Sequence, residues 1–169
     1  MTAPAIAYIG LGGNLGDAAT ILRQAMAALK ALPQTRLVRG SGLYRTPAWG
    51  MEQQPDFINA AAMVETLLAP RALLEGLLGI ERDFGRRREG ATRWGPRLLD
   101  LDLLLYGDIR IDEPGLTLPH PYLHERGFVL VPLLEIAPEA EIPGLGSARD
   151  AARALRTDDI RPLEVIIGP

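Results

Sequence analysis

The segment Arg93-Trp94-Gly95-Pro96-Arg97-Leu98-Leu99-Asp100-Leu101-Asp102-Leu103-Leu104-Leu105 brings two kinds of chemistry together. Alternate side chains of a strand share a face, so Asp100 and Asp102 point the same way while Leu99, Leu101, Leu103 and Leu105 point into a core. Carboxylates that close repel one another, and desolvating them is costly unless a counter-charge compensates. A divalent metal supplies that charge. Oxygen ligands, with no cysteine and only two histidines in the chain, suit magnesium, which keeps several waters and takes its other ligands from substrate phosphates. The preceding loop packs Arg86, Arg87, Arg88, Arg93 and Arg97 into a short span beside Asp83 and Glu89. An isolated Asp-x-Asp also fits a solvated sheet face, but carboxylates abutting a cluster of arginines are the parts that polyphosphate transfer needs.

Other residues fit around that pair. His120 lies in the proline-fixed turn Pro119-His120-Pro121, with Arg126 close behind, and the two could grip a nucleotide's phosphates or sugar. Phe57 and Asn59 straddle Ile58 and share a face, one offering a ring for stacking and the other an amide donor and acceptor. The chain has no G-x-x-x-x-G-K-[ST] loop, and Gly10 to Asn14 lacks the lysine of one, so that stretch reads as a structural turn. Lys30 is the only lysine; phosphate recognition must rest on guanidinium forks and backbone amides.

The elements that position these residues follow from patterning. Ala5 to Leu11 reads as a buried strand ended by Gly12-Gly13-Asn14, followed by a helix capped by Asp17 and stopped by Pro33. Leu37 to Arg45 reads as a second strand and Phe57 to Thr66 as a third. A helix from Pro70 runs to about Gly85, and Leu98 to Tyr106 is the strongest strand signal. Gly107-Asp108 reads as a hairpin turn into Ile109 to Ile111. Arg126 to Ile136 reads as a short helix interrupted by Pro132, and Ser147 with Asp150 as a capping box for a last helix. The order strand, helix, strand, strand, helix, strand predicts an α+β fold: a ferredoxin-like βαββαβ antiparallel sheet with both helices on one face, the other face free, and a C-terminal extension.

Composition bounds the function classes. The 169 residues suit a single domain over 1–169, and 47% hydrophobic with 23% charged residues is ordinary for a globular protein. A net charge of -3 argues against bulk nucleic-acid binding. The first residues resemble a strand more than a signal peptide, no run approaches membrane-spanning length, and the absence of cysteine makes the cytoplasm the expected compartment.

The combination Gly12-Gly13-Asn14-Leu15-Gly16, Tyr44-Arg45-Thr46-Pro47, Pro55-Asp56-Phe57-Ile58-Asn59-Ala60, Ile80-Glu81 with Gly85-Arg86, Arg93 to Asp102, and Pro119-His120 with Arg126-Gly127-Phe128 resembles the 6-hydroxymethyl-7,8-dihydropterin pyrophosphokinase family, from about Tyr8 to Pro138. The resemblance implies transfer of a pyrophosphoryl group from ATP to the pterin hydroxymethyl, on the route to folate, with release of AMP. It implies that Asp100 and Asp102 hold two magnesium ions, that Arg86 and Arg97 contact the polyphosphate, and that His120 and Arg126 help bind ATP. Asn59 would read the polar edge of the pterin between the rings of Phe57 and Phe128. Trp94 would close over the site, and Thr46, Pro47 and Trp49 would line the pterin pocket. The expected partners are small molecules, with no nucleic acid or membrane, and the expected state is a monomer. The same element order also builds an RNA-recognition sheet, but Ala60 to Val64 lacks the stacking aromatics of one. A regulatory domain that binds a metabolite without turnover would not need the aspartates beside the arginines.

Overall fold

The computed structural model describes residues 3–47, 55–85 and 98–163. In chain order the elements are β1 (Ala5–Gly13), α1 (Ala18–Leu29), β2 (Thr35–Gly40), β3 (Tyr44–Thr46), β4 (Phe57–Thr66), α2 (Pro70–Asp83), β5 (Asp100–Tyr106), β6 (Ile111–Glu113), β7 (Leu116–Leu118), α3 (Gly127–Ile136), β8 (Glu141–Ile142), β9 (Gly146–Ser147), α4 (Ala148–Arg153) and β10 (Arg161–Pro162). The main sheet is antiparallel and runs β10-β3-β4-β1-β5, with β2 also pairing β4. The central position of β1 and β4 follows from their sequences: Ala7, Ile9 and Leu11, with Ile58, Ala60, Ala62 and Val64, supply one apolar face.

That face carries α1 and α2. Asp17 caps α1 by accepting from the Thr20 backbone N–H (3.2 Å), and Pro70 sits in the first turn of α2, where its missing N–H is not needed. Leu22, Ala25 and Leu29 of α1 and Leu73, Leu77 and Ile80 of α2 close the core over the sheet. Gly85 adopts φ of 84° just beyond α2, a conformation that glycine supplies without strain.

The opposite face is not free, as the sequence pattern suggested. Helix α3 crosses it, and Leu130, Leu133 and Ile136 pack on Ala61, Leu104 and Leu105 with Ala148 of α4 in a second core. The helix continues through Pro132 rather than breaking there; burial of that ring and of its neighbours offsets the lost hydrogen bond. A bulge in β5 feeds the second core. Tyr8 pairs Leu105 and Ile9 pairs Leu103, so Leu104 is an extra residue, and Leu104 and Leu105 both face α3. Leu105 therefore leaves the core shared by Leu99, Leu101 and Leu103, against simple alternation.

Three other expectations need correction. Strand β1 runs on through Gly12 and Gly13 instead of turning there. The single strand expected over Leu37–Arg45 is two strands that pair different halves of β4, joined at Ser41, whose N–H donates to the Ala61 carbonyl (2.8 Å) and whose hydroxyl accepts from the Ala61 N–H (2.8 Å). Gly107-Asp108 ends β5 but starts no hairpin with it; Ile111–Glu113 pairs Leu116–Leu118 across Pro114-Gly115 instead. At Ser147, half of the expected capping box forms, the hydroxyl accepting from the Asp150 N–H at 3.0 Å. Among the described residues no helix is long and apolar enough to cross a membrane.

Candidate active site

The strand register assembles the candidate residues on the α3 side of the sheet. Directly opposed residues of neighbouring strands share a face. One row runs Asp100 (β5), Gly12 (β1), Asn59 (β4), Tyr44 (β3); a second pairs Asp102 with Gly10 and Gly10 with Ala61. Thr46 lies opposite Phe57 on the same face. The two glycines of β1, spaced by two, both stand on this face between the carboxylates and the Asn59 amide, and their missing side chains let neighbours lie close over the strand: a Cβ on Gly10 would sit 3.4 Å from Leu104 Cδ2. A Cβ on Gly12 would sit 3.0 Å from Asn59 Oδ1, so the amide lies close over the β1 backbone. Asn59 and Thr46, only 6% and 3% exposed, are joined by a hydrogen bond from Asn59 Nδ2 to Thr46 Oγ1 (3.1 Å). That bond fixes the amide's orientation and supplies a partner a buried amide needs.

The segment after β7 completes the far side. His120 N–H donates to the Leu104 carbonyl (2.9 Å), docking the turn onto the bulged strand. Its Nδ1 accepts from the Tyr122 N–H (3.3 Å), which leaves Nε2 to carry the proton of the neutral ring. Arg126 lies against two rings, Tyr122 at 5.1 Å and Phe128 at 5.8 Å, and among the described residues its guanidinium makes no ion pair. Aromatic support of this kind holds an arginine in place without consuming its hydrogen-bonding fork.

Burial pushes the His120 imidazole below its ordinary pKa; the Asp102 carboxylate opposes that shift and the Arg126 guanidinium adds to it. Removing Asp102's charge (Asp102→Asn) should therefore lower the His120 pKa further, and Arg126→Gln should raise it, as read by NMR titration of the ring. Because the folded state binds this proton less readily than the unfolded chain, the stability held above the unfolded value of about 6.5 is lost as pH falls below it through the folded pKa.

Glu81, at the end of α2, is 2% exposed, and its Oε2 accepts from the Leu101 N–H at 2.7 Å. Leu101 lies between the two aspartates, so this carboxylate anchors the strand that carries them. Sequence patterning missed the role, although a glutamate on the same buried face as Leu73, Leu77 and Ile80 is its signal. Arg86, Arg97, Trp94 and Trp49, with Arg87, Arg88 and Arg93, lie outside the described residues; Pro47 is described and exposed. A cavity of about 460 Å³ beside the start of α1 is lined by Arg45 and Ile58, which face the helix side, so it is separate from the carboxylates.

Among the described residues no group of three or more ligating side chains could hold a metal. A pair of carboxylates on one strand face nonetheless fits magnesium, which is bound by one or two carboxylates plus phosphate and water.

The family model for 7,8-dihydro-6-hydroxymethylpterin-pyrophosphokinase (HPPK) matches residues 8–138. A 2-amino-4-hydroxy-6-hydroxymethyldihydropteridine pyrophosphokinase of Methylorubrum extorquens is 46% identical over 158 residues, covering 94% of this chain and 98% of that protein. A protein of the same name from Pseudomonas aeruginosa is 44% identical over 136 residues, covering 80% of this chain and 83% of its own. Among solved structures, wild-type Plasmodium falciparum HPPK-DHPS with SDX-DHP aligns with a TM-score of 0.70 at 15% identity, a likeness of fold; the match covers 96% of this chain and 48% of that one, so this chain spans about half its length.

Proposed function

The chain belongs to the 7,8-dihydro-6-hydroxymethylpterin-pyrophosphokinase family, and on that premise we propose how its residues divide the work of moving a pyrophosphoryl group from ATP to the hydroxymethyl of 6-hydroxymethyl-7,8-dihydropterin in folate biosynthesis. The observation that carries the division is the shared face: Asp100 and Asp102 stand on one side of Gly10 and Gly12, Asn59 and Thr46 on the other. The carboxylate side takes the nucleotide and the amide side takes the pterin.

Asp100 and Asp102 hold two magnesium ions, which when bound neutralise and orient the ATP phosphates. Arg86, Arg97 and Arg126 meet phosphate oxygens with their forks, and His120 offers its Nε2–H to the nucleotide. On the other side Asn59 pairs with the polar edge of the pterin, while Phe57 and Phe128 stack on its faces; Thr46, Pro47 and Trp49 line the pocket, and Trp94 closes over it. The hydroxymethyl oxygen attacks the β-phosphorus, the bond from that phosphorus to the α–β bridging oxygen breaks, AMP leaves with that oxygen, and the hydroxymethyl proton is lost. Positioning and preorganised charge supply most of the acceleration. The β5-β1-β4 order with α1 and α2 on one face supports reading the first six main elements as a ferredoxin-like unit, β2 and β3 together serving as its second strand.

The deciding experiment follows AMP formation from magnesium-ATP with and without hydroxymethyldihydropterin. Pterin-dependent AMP is expected; ADP, or no turnover, would overturn the proposal. A finer test is Gly12→Ala, whose added methyl displaces the Asn59 amide. It should raise the KM for pterin roughly ten-fold while the KM for ATP stays nearly constant, the signature of lost binding on the amide side of the site.

A further inference from the structure

The pterin slot proposed above has two walls that come from distant parts of the chain. One is β3 and β4, with Thr46, Phe57 and Asn59; the other is the first turn of α3, with Phe128. Strand β3 is only three residues long and lies towards the margin of the sheet, so its pairing with β4 alone holds it weakly.

Two contacts tie it to α3. At the C-terminal end of the helix, both Glu135 carboxylate oxygens accept from the Gly42 N–H at 3.1 Å, and Oε1 also accepts from the Tyr44 hydroxyl at 2.5 Å. Tyr44 stands opposite Asn59 on the site face of the sheet. Burial first, and then the Glu135 carboxylate, push the Tyr44 phenol far above its ordinary pKa, so it stays a donor throughout the working range. At the N-terminal end, Gly127 lies next to Phe128, and a Cβ there would meet Ile160 Cδ1 at 3.1 Å and Thr157 Cγ2 at 3.2 Å. From that contact the chain passes directly into β10, which pairs Arg161 with Arg45 and Pro162 with Tyr44, and Leu163 N–H donates to the Leu43 carbonyl at 2.9 Å. The segment 157–163 lies beyond the residues that the family model matches.

We infer that Glu135 and the segment Thr157–Leu163 are braces that set the distance between β3 and α3, and thereby the fit of the pterin between the two walls. This rests on the assignment of that slot to the pterin. Glu135 and Ile160 are positioning residues, acting through Tyr44 and through the helix turn that bears Phe128. Release of either brace widens the slot on the pterin side and leaves Asp100, Asp102 and His120 on the other side where they are.

The test uses the full chain as wild type, Glu135→Ala, Glu135→Gln and Ile160→Ala, with KM for pterin, KM for magnesium-ATP and melting temperature measured for each. Glu135→Ala should raise the pterin KM about five- to ten-fold while the ATP KM stays within about two-fold; Ile160→Ala, whose contact at Gly127 also borders Arg126, should raise the pterin KM by a similar factor with a clearly smaller rise in the ATP KM. Glu135→Gln should recover most of the pterin affinity, because its amide oxygen still accepts from Gly42 and Tyr44. An unchanged pterin KM in both brace variants, or parallel rises in both KM values, would overturn the inference while wild-type turnover leaves the functional reading intact. A wild type without pterin-dependent AMP would overturn that reading and this inference with it.

Discussion

Asp102→Ala is expected to leave a folded protein that forms AMP at less than about one-thousandth of the wild-type rate, and Asp100→Ala the same. Their carboxylates share a strand face across from Gly10 and Gly12, and each is part of the charge that a metal-bound polyphosphate needs. The loss should fall on kcat and on the KM for magnesium-ATP, with pterin binding little affected, since Asn59 and Thr46 lie on the other side of β1. Stability of Asp102→Ala should stay within about 1 kcal/mol of wild type, because the substitution removes a half-buried charge and opens no core cavity. Steady-state kinetics with a thermal melt decides the matter. Near-normal turnover in a variant that melts normally would remove both residues from the metal role.

Glu81→Ala is expected to damage stability and activity together. Among the described residues β5 lies at one margin of the main sheet with no further strand beside it, and Glu81 serves the outward N–H of Leu101 from the end of α2. Deleting the side chain takes away that acceptor in a buried setting, which costs about 1–3 kcal/mol, and the space left behind adds to the loss. For a chain of this size the melting point should fall by roughly 4–10 °C. Turnover should fall more than ten-fold even below the melt, since Leu101 separates Asp100 from Asp102 and a loosened strand cannot hold both at fixed separation. Glu81→Gln keeps an acceptor oxygen and should restore most of the stability. If Glu81→Ala melts and turns over like wild type, the anchor has no function.

What the sequence revealed and what it hid have the same cause. Elements whose determinants are local were readable: Phe57–Thr66 is β4 with the same bounds, the Asp17 cap and Pro70 start are where composition put them, and Asp100 and Asp102 do share a face. Elements set by distant partners were not. The break between β2 and β3 depends on Glu135, 93 residues beyond Gly42, which binds the connecting backbone. The helix across Pro132 depends on a second core that no local pattern announces, and the same core explains why the face opposite α1 and α2 is half covered. Gly10 and Gly12 were legible as glycines but not as the places where Leu104 and the Asn59 amide lie close over β1, because a turn and a close approach use the same residue type. The short strand Arg161–Pro162 was likewise hidden, because its register is set by Arg45 and Tyr44 rather than by any local pattern.

The extra residue in β5 acts as a parity switch. Before it, odd positions look toward α1 and α2 and even positions toward the site; after it, the rule inverts, so Leu105 joins Leu104 beneath α3 and Tyr106 returns to the first core. One strand thereby serves two cores and a carboxylate pair, and length, not side-chain chemistry, keeps the three apart. Any single leucine in that stretch can be exchanged for another apolar residue at modest cost, but the number of residues between Asp102 and Tyr106 cannot change by one without turning either the aspartates or the aromatic ring to the wrong side of the sheet.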